Sequence, residues 1–112
     1  MPAPRKTLPV KAKLFRGLAD PSRLAILEAL GNGPRNVTQV VARTGLSQPN
    51  ASMHLDCLRC CGLVVREPRG RFTYYRIASP KILRILRSAE DALGEVFDRV
   101  AECERFAEGL RR

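Results

Sequence analysis

Residues 36–64 read NVTQVVARTGLSQPNASMHLDCLRCCGLV. Asn36 followed by Gln39 resembles a capping box, and Gly45 stops the segment, so a short helix is predicted between them. After the break Thr44-Gly45-Leu46-Ser47 a second helix opens at Ser47. Pro49 falls in its first turn, where a missing N–H costs little, and Gly62 ends it at about Cys61. Two short helices joined by a tight, glycine-containing turn make a helix-turn-helix over residues 36–61. At about 100° per residue, Ala51, Leu55 and Leu58 share one face of the second helix and are expected in the core.

The flanking segments fit around this motif. Residues 63–78, LVVREPRGRFTYYRIA, hold two β-rich runs about Glu67-Pro68-Arg69-Gly70-Arg71, a hairpin with a basic tip. Upstream, ADPSRLAILEALGNG has Asp20 as N-cap, Pro21 at the first helical position and Gly31 and Gly33 at its end. Leu24, Leu27 and Leu30 form its expected buried stripe, with Ile26 flanking. Val10, Leu14 and Leu18 are spaced by four and predict a short amino-terminal helix; residues 1–9 are read as a flexible basic end. Downstream, Ser79-Pro80 begins a long helix. Ile82, Leu86, Ala89, Leu93, Val96, Val100, Cys103, Ala107 and Leu110 recur at steps of four and three, a heptad-like seam over residues 80–110. Such a helix, roughly 40 Å long, is too long for so small a body to cover. A matching helix on a second protomer, with the amino-terminal helix alongside, is the expected cover. The fold class is therefore mainly α with a small β-hairpin. Residues 1–112 are read as one winged helix-turn-helix domain that forms a homodimer through its terminal helices.

Composition narrows the partners. At 45% hydrophobic and 28% charged, the chain is not disordered throughout. No apolar run approaches the length of a membrane span, and the basic start lacks a signal-peptide core, so a cytoplasmic protein is expected. The net charge is +9. Residues 80–112 hold seven Lys/Arg and seven Asp/Glu, so residues 1–79, with thirteen against four, carry the whole excess. A basic body with a neutral tail points to a polyanion. In a winged helix the second helix of the motif enters the major groove and the wing meets backbone or minor groove. Ser47, Gln48, Asn50, Ser52 and His54 are the candidate reading residues. Gln and Asn can pair with adenine, and Ser contacts bases or phosphates. Arg66, Arg69 and Arg71 would carry the wing to phosphate or a narrow groove. No acid/base pair in a recognisable setting and no phosphate-cradling glycine loop argue for an enzyme.

The cysteines stand apart. Cys57 and Cys61 are one helical turn apart, so their sulfurs can converge on one ion. Cys60 lies on the far side of the wheel from the core stripe and is the odd one out. Soft thiolates select Cd(II) and, by the same logic, Pb(II), Hg(II) or As(III). Two other readings stand beside this one. Cys57 and Cys60 match C-x-x-C, but they sit at the carboxyl end of the helix, where the dipole opposes a thiolate; a redox-sensing repressor using Cys60 and Cys61 or an intersubunit disulfide stays open. So does burial of Cys57, Cys61 and Cys103 as small hydrophobic residues. A winged-helix module for RNA or protein contact is the remaining alternative.

LADPSRLAILEAL (18–30), LSQPNASMHLDCLRCCGLV (46–64) and GRFTYYRIA (70–78) together resemble the ArsR/SmtB family of metal-responsive repressors, over most of residues 14–110. More narrowly, Cys57 and Cys61 in the reading helix look like the CmtR-type cadmium/lead sensors. The resemblance implies a winged-helix homodimer that binds dyad-symmetric operator DNA when metal-free and lets go on binding metal, with no organic cofactor. It also implies that the two helix cysteines join a cysteine near the carboxyl end of the other protomer, for which Cys103 is the candidate. The family's other metal sites have no counterpart here: NVTQVVA carries no cysteine, and the last helix offers Asp91 and Asp98 but no His.

Overall fold

The computed structural model describes residues 5–106, which form two compact units divided between Ala78 and Ser79. The first contains the helix-turn-helix. It opens with a 3-10 turn, Arg5–Thr7, so helical structure begins inside the segment expected to be flexible. Helix α1 spans Leu8–Leu18 and α2 spans Pro21–Leu30. Asp20 caps α2 by accepting the Arg23 amide at 3.0 Å. The same residue's guanidinium turns back, donating from Nε to the Gly17 carbonyl at 2.6 Å and from Nη2 to that of Arg16 at 3.1 Å. The Gly17 carbonyl at the end of α1 is thereby satisfied, while that of Arg16 also accepts the Ala19 amide at 3.2 Å.

Helix α2 buries a wider face than its leucines foretell. Ile26 and Leu27 are fully buried and Ala29 and Leu30 nearly so, whereas Leu24 is 37% exposed. The cause is the number of neighbours: α2 packs against α1, against the two helices Val37–Thr44 and Gln48–Cys60 and against the strand Phe72–Ile77, so Ile26 joins the core and Leu24, in the first turn, stays at its edge.

Strand β1 (Arg35–Asn36) leads into α3 (Val37–Thr44), and α4 spans Gln48–Cys60. The capping box is present: the Gln39 amide donates to Asn36 Oδ1 and the Asn36 amide to Gln39 Oε1, each at 2.9 Å. Ala51, Leu55 and Leu58 are the buried residues of α4, the stripe its spacing predicts. Together with Ile26, Leu27, Val40 and Val64 they form the centre of the core.

Strands β2 (Val64–Arg69) and β3 (Phe72–Ile77) pair antiparallel from Val64 opposite Ile77 to Arg69 opposite Phe72. Gly70, at φ 61°, is the first residue of the two-residue turn, as a glycine-first hairpin turn requires. The wing is larger than a hairpin. β1 adds to the other edge of β3, with Arg35 opposite Tyr75 and Asn36 opposite Tyr74, giving a three-stranded sheet of order β1-β3-β2. A two-residue strand is too short to reveal itself by alternation.

The second unit is α5, Pro80–Glu102, capped by Ser79, whose hydroxyl accepts the Lys81 amide at 3.2 Å. None of its residues is buried, and Leu93, Val96, Phe97 and Val100 are conspicuously exposed. The helix is shorter than its apolar seam. Val96, two residues beyond Gly94, leaves helical geometry at φ −126°, ψ 17°, and Cys103 is an extended cap at φ −70°, ψ 118°. A glycine weakens a helix locally; at the far end Cys103 follows the helix rather than lying within it. A 3-10 turn, Glu104–Phe106, comes next, and Ala107 and Leu110 of the seam lie outside the described residues. Among the described residues, no helix is long and apolar enough to cross a membrane.

Candidate nucleic-acid interface and thiol site

Helix α4 carries different chemistry at its two ends. At the amino end Ser47 is the N-cap, its Oγ accepting the Asn50 amide at 3.2 Å. The cap occupies one acceptor site and leaves the hydroxyl proton free to donate. Gln48 and Asn50 are exposed, while Ser52 and His54 are half-buried. His54 Nδ1 and Arg59 Nε are shielded from solvent without a hydrogen-bond partner among the described residues. Met53 stands between Ser52 and His54 and is 51% exposed. Its place on this surface was not foreseen, because only polar side chains advertise base contact; an apolar group can meet a thymine methyl.

The wing arginines are not equivalent. Glu67 accepts from Arg76 Nε at 2.6 Å and from Arg69 Nη2 at 3.4 Å, and the Arg69 guanidinium lies 5.1 Å from the centre of the Tyr74 ring. The hydrogen bond from Arg76, reinforced by the charges of Arg76 and Arg69, holds the Glu67 carboxyl below the usual carboxylate range. Arg69 is thus engaged within the wing, whereas Arg66 and Arg71 are exposed with no ion pair among the described residues. Several of the cations behind the basic excess of residues 1–79 make structural bonds: Arg23 closes α1, Arg76 holds Glu67, and Arg35 Nε donates to the Ala29 carbonyl at 2.7 Å.

The carboxyl end of α4 is fixed by glycine. Gly62, at φ 77°, donates to the Arg59 carbonyl at 3.0 Å, and the Leu63 amide reaches back to Leu58 at 2.9 Å. This pair of bonds is the Schellman arrangement, with Leu63 packed into the core beyond it. It makes Cys60 the last helical residue and Cys61 the cap, whose amide donates to the Cys57 carbonyl at 3.1 Å. Cys57, Cys60 and Cys61 are all free and exposed, so none is a core residue; Cys103 is free and half-buried. Cys57 and Cys61 line one cleft of about 250 Å³ with Lys13, Arg16 and Arg23. Cys60 and Cys61 line a second of about 260 Å³ with Val10, Lys13, Leu14 and Leu63, Lys13 and Leu63 bordering both. Cys60 points away from the core stripe, yet it still borders α1. Among the described residues of one chain, no three His, Cys, Asp or Glu side chains are grouped to hold a metal ion.

Comparison with known proteins fixes the family. Residues 20–65, which include the whole helix-turn-helix, match the description "Bacterial regulatory protein, arsR family". The chain is 41% identical over 99 residues to the HTH-type transcriptional regulator CmtR of Mycobacterium tuberculosis, covering 88% of this chain and 84% of that protein. The chain belongs to the ArsR family. It is accordingly a transcriptional regulator and not an enzyme. Its fold is similar to the NMR structure of the cadmium metal-sensor CMTR from M. tuberculosis, at 45% identity and TM-score 0.61 over 69% of this chain and 80% of that one. It is also similar to the homodimeric winged helix-turn-helix DNA-binding domain Mb0332 of Mycobacterium bovis, at 31% identity and TM-score 0.72 over 85% of this chain and 90% of that one.

Proposed function

We propose that this ArsR-family regulator is a metal-responsive repressor. Its homodimer binds dyad-symmetric operator DNA when metal-free and dissociates when Cys57, Cys61 and Cys103 take up a soft thiophilic ion, Cd(II) or Pb(II) before Hg(II) or As(III). The observation that carries this reading is the pair of exposed thiols, Cys57 and Cys61, one turn apart on the helix that bears Gln48 and Asn50. Sulfur donors one turn apart suit a soft ion, and both open on one cleft of about 250 Å³. The cadmium sensor and the homodimeric DNA-binding domain among the relatives support the same assignment.

In the metal-free dimer, two α4 helices meet successive half-sites through Ser47, Gln48, Asn50, Ser52 and His54, while Arg66, Arg69 and Arg71 bring the wings to the backbone. The ion supplies a shared bonding partner for soft sulfurs. Cys57 and Cys61 then tie the reading helix to Cys103 of the dimer mate, which opposes the spacing that two grooves demand. By linkage, whatever affinity the ion removes from DNA binding, DNA removes equally from ion binding. Turning a 1:99 population into 99:1 takes about 5.5 kcal/mol of such coupling. A gel-shift titration with Cd(II) tests the proposal: operator affinity should collapse as thiols fill. Unchanged affinity at saturating Cd(II) would defeat it.

A further inference from the structure

Met53 is apolar, yet it is 51% exposed among the polar side chains in the amino half of α4. At about 100° per residue it sits about 140–160° round the helix from each of Ala51, Leu55 and Leu58, the three buried residues. It therefore stands at the centre of the face turned away from the core. Asn50, also exposed, lies about 60° to one side and three residues back. Three residues rise about 4.5 Å along the helix, a little more than the step of about 3.4 Å between base pairs. Side chains so placed can meet neighbouring base pairs in a major groove. A thioether has no proton to donate, and its sulfur is a weak acceptor. Against guanine, cytosine or adenine it would bury donors or acceptors of the base edge without partners, which costs free energy. Thymine alone adds a methyl group to that edge.

We propose that Met53 is a specificity-determining residue: in each half-site its thioether packs on the 5-methyl group of one thymine, in the base pair next to the one that Asn50 meets. This role rests on the operator-binding reading and adds to it a base that the operator must carry. Attraction and exclusion act together. Methyl and thioether leave water on contact, while any other base in that place loses hydrogen bonds to water. The +9 excess of residues 1–79 holds a duplex through its phosphates whatever the sequence, and leaves the choice of base to uncharged groups such as Asn50 and Met53. No thiol takes part, so the preference belongs to the metal-free dimer.

The test uses the reduced, metal-free full-length chain and a randomised duplex library. Rounds of selection should yield a dyad-symmetric consensus with a fixed thymine in each half-site. Deoxyuridine in place of that thymine removes the methyl group alone. Binding isotherms at one salt concentration should show a loss of about fourfold for exchange in one half-site and about fifteenfold for both, as one buried methyl per half-site requires. Met53→Ala should bind the thymine and uracil duplexes alike, whereas Met53→Leu, of similar volume, should keep most of the preference. Position 53 is exposed and alanine is a strong helix former, so the fold should survive, and circular dichroism checks it. Met53 is the chain's only methionine besides Met1, so carbon-13 labelling of methionine methyls places one internal probe on this surface. Its resonance should show a nuclear Overhauser contact to the thymine methyl that the uracil duplex lacks. A wild-type dimer indifferent to uracil at every thymine overturns this role and leaves the repressor standing, as does a full uracil penalty in Met53→Ala. Failure of any dyad-symmetric consensus to emerge removes the operator reading and this role with it.

Discussion

Ser47 and Cys61 cap opposite ends of the same thirteen-residue helix. A helix of that length spans about 20 Å and moves as one rod. Whatever restrains the sulfur end therefore reorients the end that carries Gln48 and Asn50.

Cys57→Ser should abolish release from operator DNA by Cd(II) and leave metal-free binding almost unchanged. Exposed substitutions away from special features usually alter stability by no more than about 0.5 kcal/mol, and Cys57 is exposed. Paired gel shifts with and without Cd(II) measure both arms. A variant that loses metal-free binding as well would return Cys57 to a structural role.

Gly62→Ala should act on the sensing end of α4 before the reading end. The residue sits at φ 77°, where a side chain costs about 1–2 kcal/mol. A urea titration should register that loss, and Cd(II) affinity should fall by more than operator affinity. Equal losses in both would indicate global unfolding instead of a local shift of Cys60 and Cys61.

The three wing arginines should separate by salt dependence. Arg66→Ala and Arg71→Ala should each reduce the slope of log affinity against log salt by about 1. Arg69→Ala should reduce it less, because its guanidinium is already shared with Glu67 and Tyr74. Binding isotherms across a salt series decide this, and a full unit of slope from Arg69 would mean that DNA displaces Glu67.

Acid should loosen the wing at a defined place. The Glu67 carboxyl is held below its ordinary range by Arg76. Its pairing therefore contributes fully above the unfolded-state value and is lost as pH falls through the lower folded-state value. Amide exchange at Tyr74 and Arg76 should accelerate across that acid range and stay flat above it. In Glu67→Gln the acid-dependent change should vanish.

Much of the architecture was legible because it rests on local signals. The Asn36–Gln39 box, Pro21 after Asp20, Gly45, and Gly62 after Cys61 each mark a helix end by backbone geometry that few other residues satisfy. What escaped depended on tertiary context. Ile26 displaced Leu24 from the core because α2 touches four elements, and β1 exists only through its pairing to β3. The apolar seam ran past the helix that bears it, since spacing alone cannot report the break at Val96 or the extended backbone of Cys103. For the site, spacing singled out Cys57 and Cys61, but the wheel described only α4. It could not foresee that α1 would bring Val10 and Leu14 to Cys60, or that Glu67 would engage Arg69.

Asn36 belongs to two structures at once: it ladders with Tyr74 in the sheet and caps α3 through Gln39. No slack linker separates the wing from the first helix of the motif. A pull on the hairpin passes through β1 to α3, and the Asn36 side chain is one of the joints that carry it. Wing and helix pair should therefore engage DNA as one stiff jaw, and a mutation that cuts the joint at Asn36 should turn it into two independent grips.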